Sequence, residues 1–254
     1  MTLLTRLLCL TTALALGAAP LALRAESDAD AAAGRALVKR YADAVIGVEM
    51  VVVLKINAGD RAQPPQERKI EVNGTVIAPN GLTVLSLGLI DPRAALPPQA
   101  RASVEEPEFK EVKLRLADNT EIPAKVVLKD EDLDLAFIAP EPAPATVPAS
   151  APRTFACVDL ASAAKPKVLG TYFDVSRAGK ILQRVPMVRP ITVVGVVEKP
   201  RQLVLLSAYA AGCPVFDPAG KFLGISVMLI VEKHAAGMVL LPAASIAEIA
   251  PKGT

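Results

Sequence analysis

The stretch "PEPAPATVPASAPR", Pro140 to Arg153, places five prolines in fourteen residues. Each proline fixes φ and removes a backbone donor, so neither a helix interior nor a central strand accepts the run. It reads as an extended linker and divides the chain into two halves that must build their structure separately. Both halves carry short apolar or alternating runs punctuated by turn residues. In the first, "EMVVVLKI", "RKIEVNGTVIA", "LTVLSLGLI", "EVKLRLA", "EIPAKVVLKD" and "LDLAFIA" read as strands, broken by "PNG", "DNT" and a Pro-rich excursion from Asp91 to Phe109. In the second, "KVLGTYFDV", "ITVVGVVEK", "RQLVLLSA", "PVFD", "FLGISVMLIVEK" and "GMVLLP" do the same, and "AASIAEIA" closes the chain as a short helix. Many short strands with frequent turns predict an all-β chain of two small barrels or sandwiches.

Composition matters at the N-terminus. The chain is 52% hydrophobic with mean hydropathy +0.40, and "MTLLTRLLCLTTALALGAAPLALRA" concentrates part of that excess. Arg6, the apolar run Leu7 to Leu16 and the small residues from Ala18 to Ala25 have the layout of a secretory signal peptide over residues 1–25. A membrane anchor is the competing reading, opposed by the shortness of the run and by Pro20. Removal of Arg6 and Arg24 lowers Lys+Arg from 28 to 26 against 26 Asp+Glu, leaving a formally neutral exported chain. That balance, without a dense basic run and with only 4% aromatics, argues against nucleic acid as a partner. Residues 26–46 follow as a helical segment, 47–139 as the first β unit, 140–153 as the linker and 154–254 as the second unit.

Two cysteines remain after residue 25, Cys157 and Cys213. In an exported chain they either pair or remain as buried thiols, and sequence leaves both open. The single histidine, His234, lies near neither cysteine, so no metal site and no cofactor is expected. His234 itself reads as a residue of a polar turn, and the acidic "EEPE" at 105–108 as a solvated loop.

Three motifs resemble the signatures of HtrA/Deg-type proteases of the chymotrypsin fold. "NGTVIAPNGLTVLSLGLID" is similar to the segment that carries the family's catalytic histidine and puts Gly88 at that position. "LADNTEIPAKVVLKDEDLDLAFIAPE" resembles the segment of the catalytic aspartate, which falls on Asp134. "SAYAAGCPVFDPAGKFLGI" resembles the nucleophile loop and places Ala211 where the serine stands. "GMVLLPAASIAEIA" is similar to the family's closing segment, so the resemblance runs from about Ala42 to Ala250, with no PDZ domain expected after it.

The resemblance implies two six-stranded Greek-key β-barrels of the trypsin type, with short N- and C-terminal helices. It also implies a lost reaction. Acyl transfer in this fold needs a hydroxyl nucleophile, an imidazole base and an orienting carboxylate. Ala211 has no hydroxyl and Gly88 no side chain, leaving Asp134 with nothing to orient. Tyr209 replaces a glycine that supplies an oxyanion-hole amide, and Cys213 replaces a second glycine. Asp134 is then expected to accept hydrogen bonds from backbone amides, Ser86 or Thr83. The family binds extended peptide along a strand that maps to Ser226, Val227 and Met228, with Tyr209 beside it; this needs no triad. A peptide-binding or scaffolding pseudoprotease is the leading expectation. A protease with a non-standard site and a purely structural envelope protein, its cleft filled by Tyr209 and Met228, are the alternatives.

Overall fold

The computed structural model describes residues 19–58, 61–62, 64–142, 153–231 and 234–251. The expected signal peptide lies outside these residues up to position 18, as does most of the Pro-rich linker.

Helix α1 spans Ala19–Tyr41 and is followed by a 3-10 turn, Ala42–Ala44. Strand β1, Val45–Leu54, begins two residues before the boundary predicted from sequence. Strands β2 (Gln66–Val76), β3 (Thr83–Ser86), β4 (Glu108–Arg115), β5 (Glu121–Asp130) and β6 (Leu135–Pro140) complete the first barrel, closed in the order β1-β2-β3-β6-β5-β4. The second consists of β7 (Thr171–Arg177), β8 (Pro186–Val197), β9 (Leu203–Leu206), β10 (Pro214–Phe216), β11 (Phe222–Val231) and β12 (His234–Pro242). It closes as β8-β9-β12-β11-β10-β7, which is the same winding as the first. Closure satisfies the strand edges that an open sheet would expose. Helix α2, Ala243–Ile249, ends the described chain.

Burial explains why β1 reads as a continuous apolar run. Ile46, Val48, Met50 and Val52 point into the first barrel, while Val45 joins a cluster shared by both barrels. In that shared cluster Val84, Leu135 and Phe137 of the first barrel meet Phe173, Phe216 and Ile225 of the second. Helix α1 seals it through Leu37 and Tyr41; Tyr41 stacks on Phe216 at 4.1 Å and its hydroxyl donates to Gly220 O at 2.7 Å. Each such side chain, fully buried, contributes roughly 1.5–3 kcal/mol of transfer free energy.

Polar groups fix how the barrels meet. The Arg177 guanidinium is buried and donates to Val45 O (2.6 Å), Ala42 O (2.7 Å) and Arg184 O (3.2 Å). Arg184, at the tip of the β7–β8 hairpin, donates to Glu49 Oε1 at 2.8 Å and pairs with Glu71, both on the first barrel. The Arg115 hydrogen bonds hold the Glu49 carboxyl below its usual range, so this clamp stays ionised at neutral pH. Neither arginine stood out in sequence. Arg177 shares strand parity with the buried Phe173 and Val175, and that inward charge was the available signal.

Candidate functional site

Three segments converge between the barrels. Strand β3 ends at Ser86 and turns through a 3-10 segment, Leu87–Leu89, which holds Gly88. Asp134 sits at the end of the β5–β6 turn with φ +57°, an unusual conformation for a non-glycine residue that aims its carboxylate inward. The third segment, Ala210 to Cys213 between β9 and β10, lies against the first barrel. Thr75 Oγ1 donates to Gly212 O at 2.8 Å, and a Cβ at position 212 would stand 2.9 Å from Asn73 O. With φ +73° as well, this position admits glycine alone.

The Asp134 carboxylate is fully engaged. Ser86 Oγ donates to Oδ2, Gly88 N–H to Oδ1 at 2.6 Å, and Met228 N–H, from the second barrel, to Oδ2 at 2.7 Å. Thr83 instead donates to Gly81 O. Burial pushes the carboxyl above its ordinary value, and the three hydrogen bonds oppose that shift without overcoming it. A Cβ at Gly88 would lie 3.1 Å from Oδ1, so the carboxylate occupies the space from which a side chain at 88 would start.

Ala211 bridges to Ser226 and lines a groove of about 370 Å³ between the barrels. Val72, Leu89 and Met187 give that groove apolar walls, with Asn73 and Ser176 among its polar lining. Alongside it, β2 pairs with β1 over Gln66–Thr75 but with β3 only at Thr75 and Val76, which leaves the groove-facing edge of Glu71 to Asn73 without a strand partner among the described residues. A methyl group at 211 and a hydrogen at 88 supply neither nucleophile nor base.

The strand expected to receive peptide is largely spent on internal contacts. Ser226 O accepts from Gly212 N–H at 2.8 Å, Ser226 N–H donates to Cys213 O at 3.4 Å, and Met228 N–H is held by Asp134. Val227 pairs with Val239 of β12. Tyr209 turns away from the cleft: its hydroxyl accepts from Leu206 N–H at 2.9 Å and its ring packs on the second barrel's core. Tyrosine here caps a strand end, a role that its sequence position did not announce.

Cys157 and Cys213 are free thiols, so the possible disulfide does not form. Cys157 packs on the first barrel's core, whereas Cys213 is sealed in the 210–213 loop near Asp174. Burial pushes the Cys213 thiol up to about 12, with the Asp174 charge adding to the shift. Native chain at pH 8 is therefore expected to alkylate at Cys157 at least about tenfold faster than at Cys213, a gap that closes in urea. Peptide mass mapping reads the ratio, and prompt native labelling at Cys213 would contradict the burial argument. His234 opens β12, pairing with Val231. Among the described residues no cluster of three His, Cys, Asp or Glu side chains is placed to hold a metal, and no helix is long and apolar enough to cross a membrane.

No protein-family model and no curated protein sequence matches the chain. Solved structures do. The chain is similar to the MamO protease domain from Magnetospirillum magneticum in its apo form, at 18% identity and TM-score 0.52, over 84% of this chain and 98% of that one. It is similar to Deg5 at 17% identity and TM-score 0.54, over 85% and 91%. Both likenesses join the paired, identically wound barrels already described.

This is the trypsin-like fold of two closed barrels. Gly88 lies in the 3-10 turn after β3, Asp134 at the end of the β5–β6 turn and Ala211 in the β9–β10 loop.

Proposed function

We propose that this trypsin-like chain is a non-catalytic, exported protein that binds an extended peptide or protein segment in the cleft between its barrels. One observation carries the reading: the Asp134 carboxylate is saturated by Ser86, Gly88 N–H and Met228 N–H, with glycine and alanine at the other two reactive positions. The carboxylate has become a structural acceptor that ties the second barrel to the first. An open groove beside the unpaired edge of β2 supports binding over a sealed, purely structural cleft. Edge pairing at Ser226 and Met228 would compete with bonds already made, so the bound segment lies along Glu71 to Asn73 and against Met187. Signal-peptide layout at the N-terminus supports export.

The test uses full-length chain, an unfolded protein substrate and a fluorophosphonate probe. Expected are no cleavage products above buffer and no labelled serine. Covalent labelling at Ser226, which is buried beside Ala211 and has no hydrogen-bond partner for its hydroxyl among the described residues, would overturn the non-catalytic reading.

A further inference from the structure

The second barrel carries a feature unrelated to the cleft. Between the linker and β7, the chain makes a tight turn closed by Gly170 N–H to Lys167 O at 2.9 Å. Its two central residues are Val168 and Leu169, 57% and 80% exposed, and Leu169 holds φ +63°. Turn centres favour glycine, asparagine and other polar residues, and a bulky apolar residue at positive φ is uncommon there. The turn is fixed rather than loose, because Leu169 N–H donates to Val193 O (2.8 Å) and Val193 N–H to Gly170 O (3.2 Å). That docking sets it beside the outer face of β8 and β9. There Val194, at a bulge, is 53% exposed, and the partly exposed Leu205 lies over Gly195, whose Cβ position is 3.2 Å from Leu205 Cδ1.

Cations frame these aliphatic groups. Lys165 and Lys167 flank the turn, and Lys199 and Arg201 sit at the tip of the β8–β9 hairpin. All four are exposed, and none is ion-paired to a described acid. Lys55 and Lys113 of the first barrel, by contrast, pair with Glu108 and Glu121. A surface that presents aliphatic tips inside a frame of unpaired positive charge is complementary to an apolar layer beneath anionic headgroups.

We infer that the Val168–Leu169 turn and the adjoining face of β8 and β9 form a peripheral docking surface for an anionic lipid bilayer. The aliphatic tips enter the headgroup boundary while the four cations meet lipid phosphates. The opposite end of the β7–β8 pair supplies an internal control. Ile181, at the far hairpin, is 97% exposed but lies seven paired positions away, beyond the Pro186 and Arg177 pair.

The experiment follows backbone hydrogen exchange and flotation of full-length chain with vesicles of phosphatidylcholine alone or with about one-third phosphatidylglycerol. Expected is new protection over residues 165–170 and 192–206 with anionic vesicles only, reversed in high salt. Lys165→Glu/Lys167→Glu and Val168→Asp/Leu169→Asp should each cut that protection and reduce vesicle partitioning at least about tenfold, whereas Ile181→Asp should change neither. Far-ultraviolet circular dichroism confirms that the variants fold. The inference fails if these segments gain no protection, if zwitterionic vesicles protect them equally, or if Leu169 and Ile181 substitutions act alike. It fails too if the same residues are protected without lipid in a concentration-dependent manner, which would assign the surface to a second copy of the chain.

Discussion

Arg177→Ala should destabilise the chain by about 3–5 kcal/mol, the range for breaking a buried charged hydrogen-bond network. The guanidinium is the only described group reaching the carbonyls of Val45, Ala42 and Arg184 together, and it also pairs with Asp43. Removing it takes the guanidinium donor from all three carbonyls at the junction of α1, β1 and the β7–β8 hairpin, and Ala42 O keeps only the Val45 N–H. Burial lowers the Arg177 pKa, yet nothing suggests a neutral side chain at physiological pH, since arginine starts far above it. Lysine restores a charge but not the planar fork that spans three carbonyls, so Arg177→Lys should recover only a minor part of the loss. Urea unfolding measures both. A change in Arg177→Ala under about 1 kcal/mol would mean that the shared apolar cluster alone holds the barrels in register.

Asp134→Ala ranks next, at about 2–4 kcal/mol, because it strands the Ser86 hydroxyl and the Gly88 and Met228 amides in the interior. Its pH dependence is the sharper test. Burial raises the folded-state pKa above that of an unfolded aspartate. The native chain therefore binds more protons than the unfolded chain between those two values. The stabilising contribution is complete below the unfolded aspartate range and is lost as pH rises through the raised folded value. Destabilisation by Asp134→Ala should accordingly be larger near pH 4 than near pH 8. Glu49 works in the opposite sense: its carboxyl is lowered, chiefly by the Arg115 hydrogen bond, and its contribution is lost as pH falls. Comparing Asp134→Ala with wild type at each pH cancels that background. A deficit that grows toward alkaline pH would show that the three hydrogen bonds, not burial, dominate the Asp134 environment.

These two residues also separate the roles of the cleft. Asp134 joins the barrels at one end of the groove, and Arg177 with Arg184 joins them beside the hairpin wall. The groove keeps its shape through these contacts between the barrels. The Met228 N–H donated to Asp134 Oδ2 ties the second barrel to the first.

Much of the fold was legible along the chain. Strand runs such as "EVKLRLA" and "FLGISVMLIVEK" fall within or largely over β4 and β11, because alternation and turn residues are local signals. The run "KVLGTYFDV" reads as strand from Lys167, yet Lys167 to Gly170 close a turn and β7 starts at Thr171; at β1 the α1 pattern and the strand run abut, separated by one 3-10 turn. The β7–β8 hairpin was only partly visible, since "RVPMVRP" carries two prolines yet continues as strand Pro186–Val197. Its tolerance follows from a position next to β7 alone over Pro186 to Thr192, where a missing N–H on the outer side breaks no ladder bond.

Sequence by itself determined the order of twelve strands, the turns between them, and the identities of Gly88 and Ala211, where no imidazole and no hydroxyl stand. Tertiary structure alone decided what those absences leave behind. Asp134 finds Gly88 at 46 residues and Met228 at 94, and Arg177 finds Val45 at 132. Closure of both barrels turned β11's edge inward onto the 210–213 loop and Asp134, kept Cys157 against the first barrel's core and Cys213 in the 210–213 loop as free thiols, and left the groove beside β2 open. Residue identity and periodicity are properties of neighbours in the chain. Hydrogen-bond partners across a cleft are properties of packing, and the packing here is set by two closed barrels meeting around one shared apolar cluster.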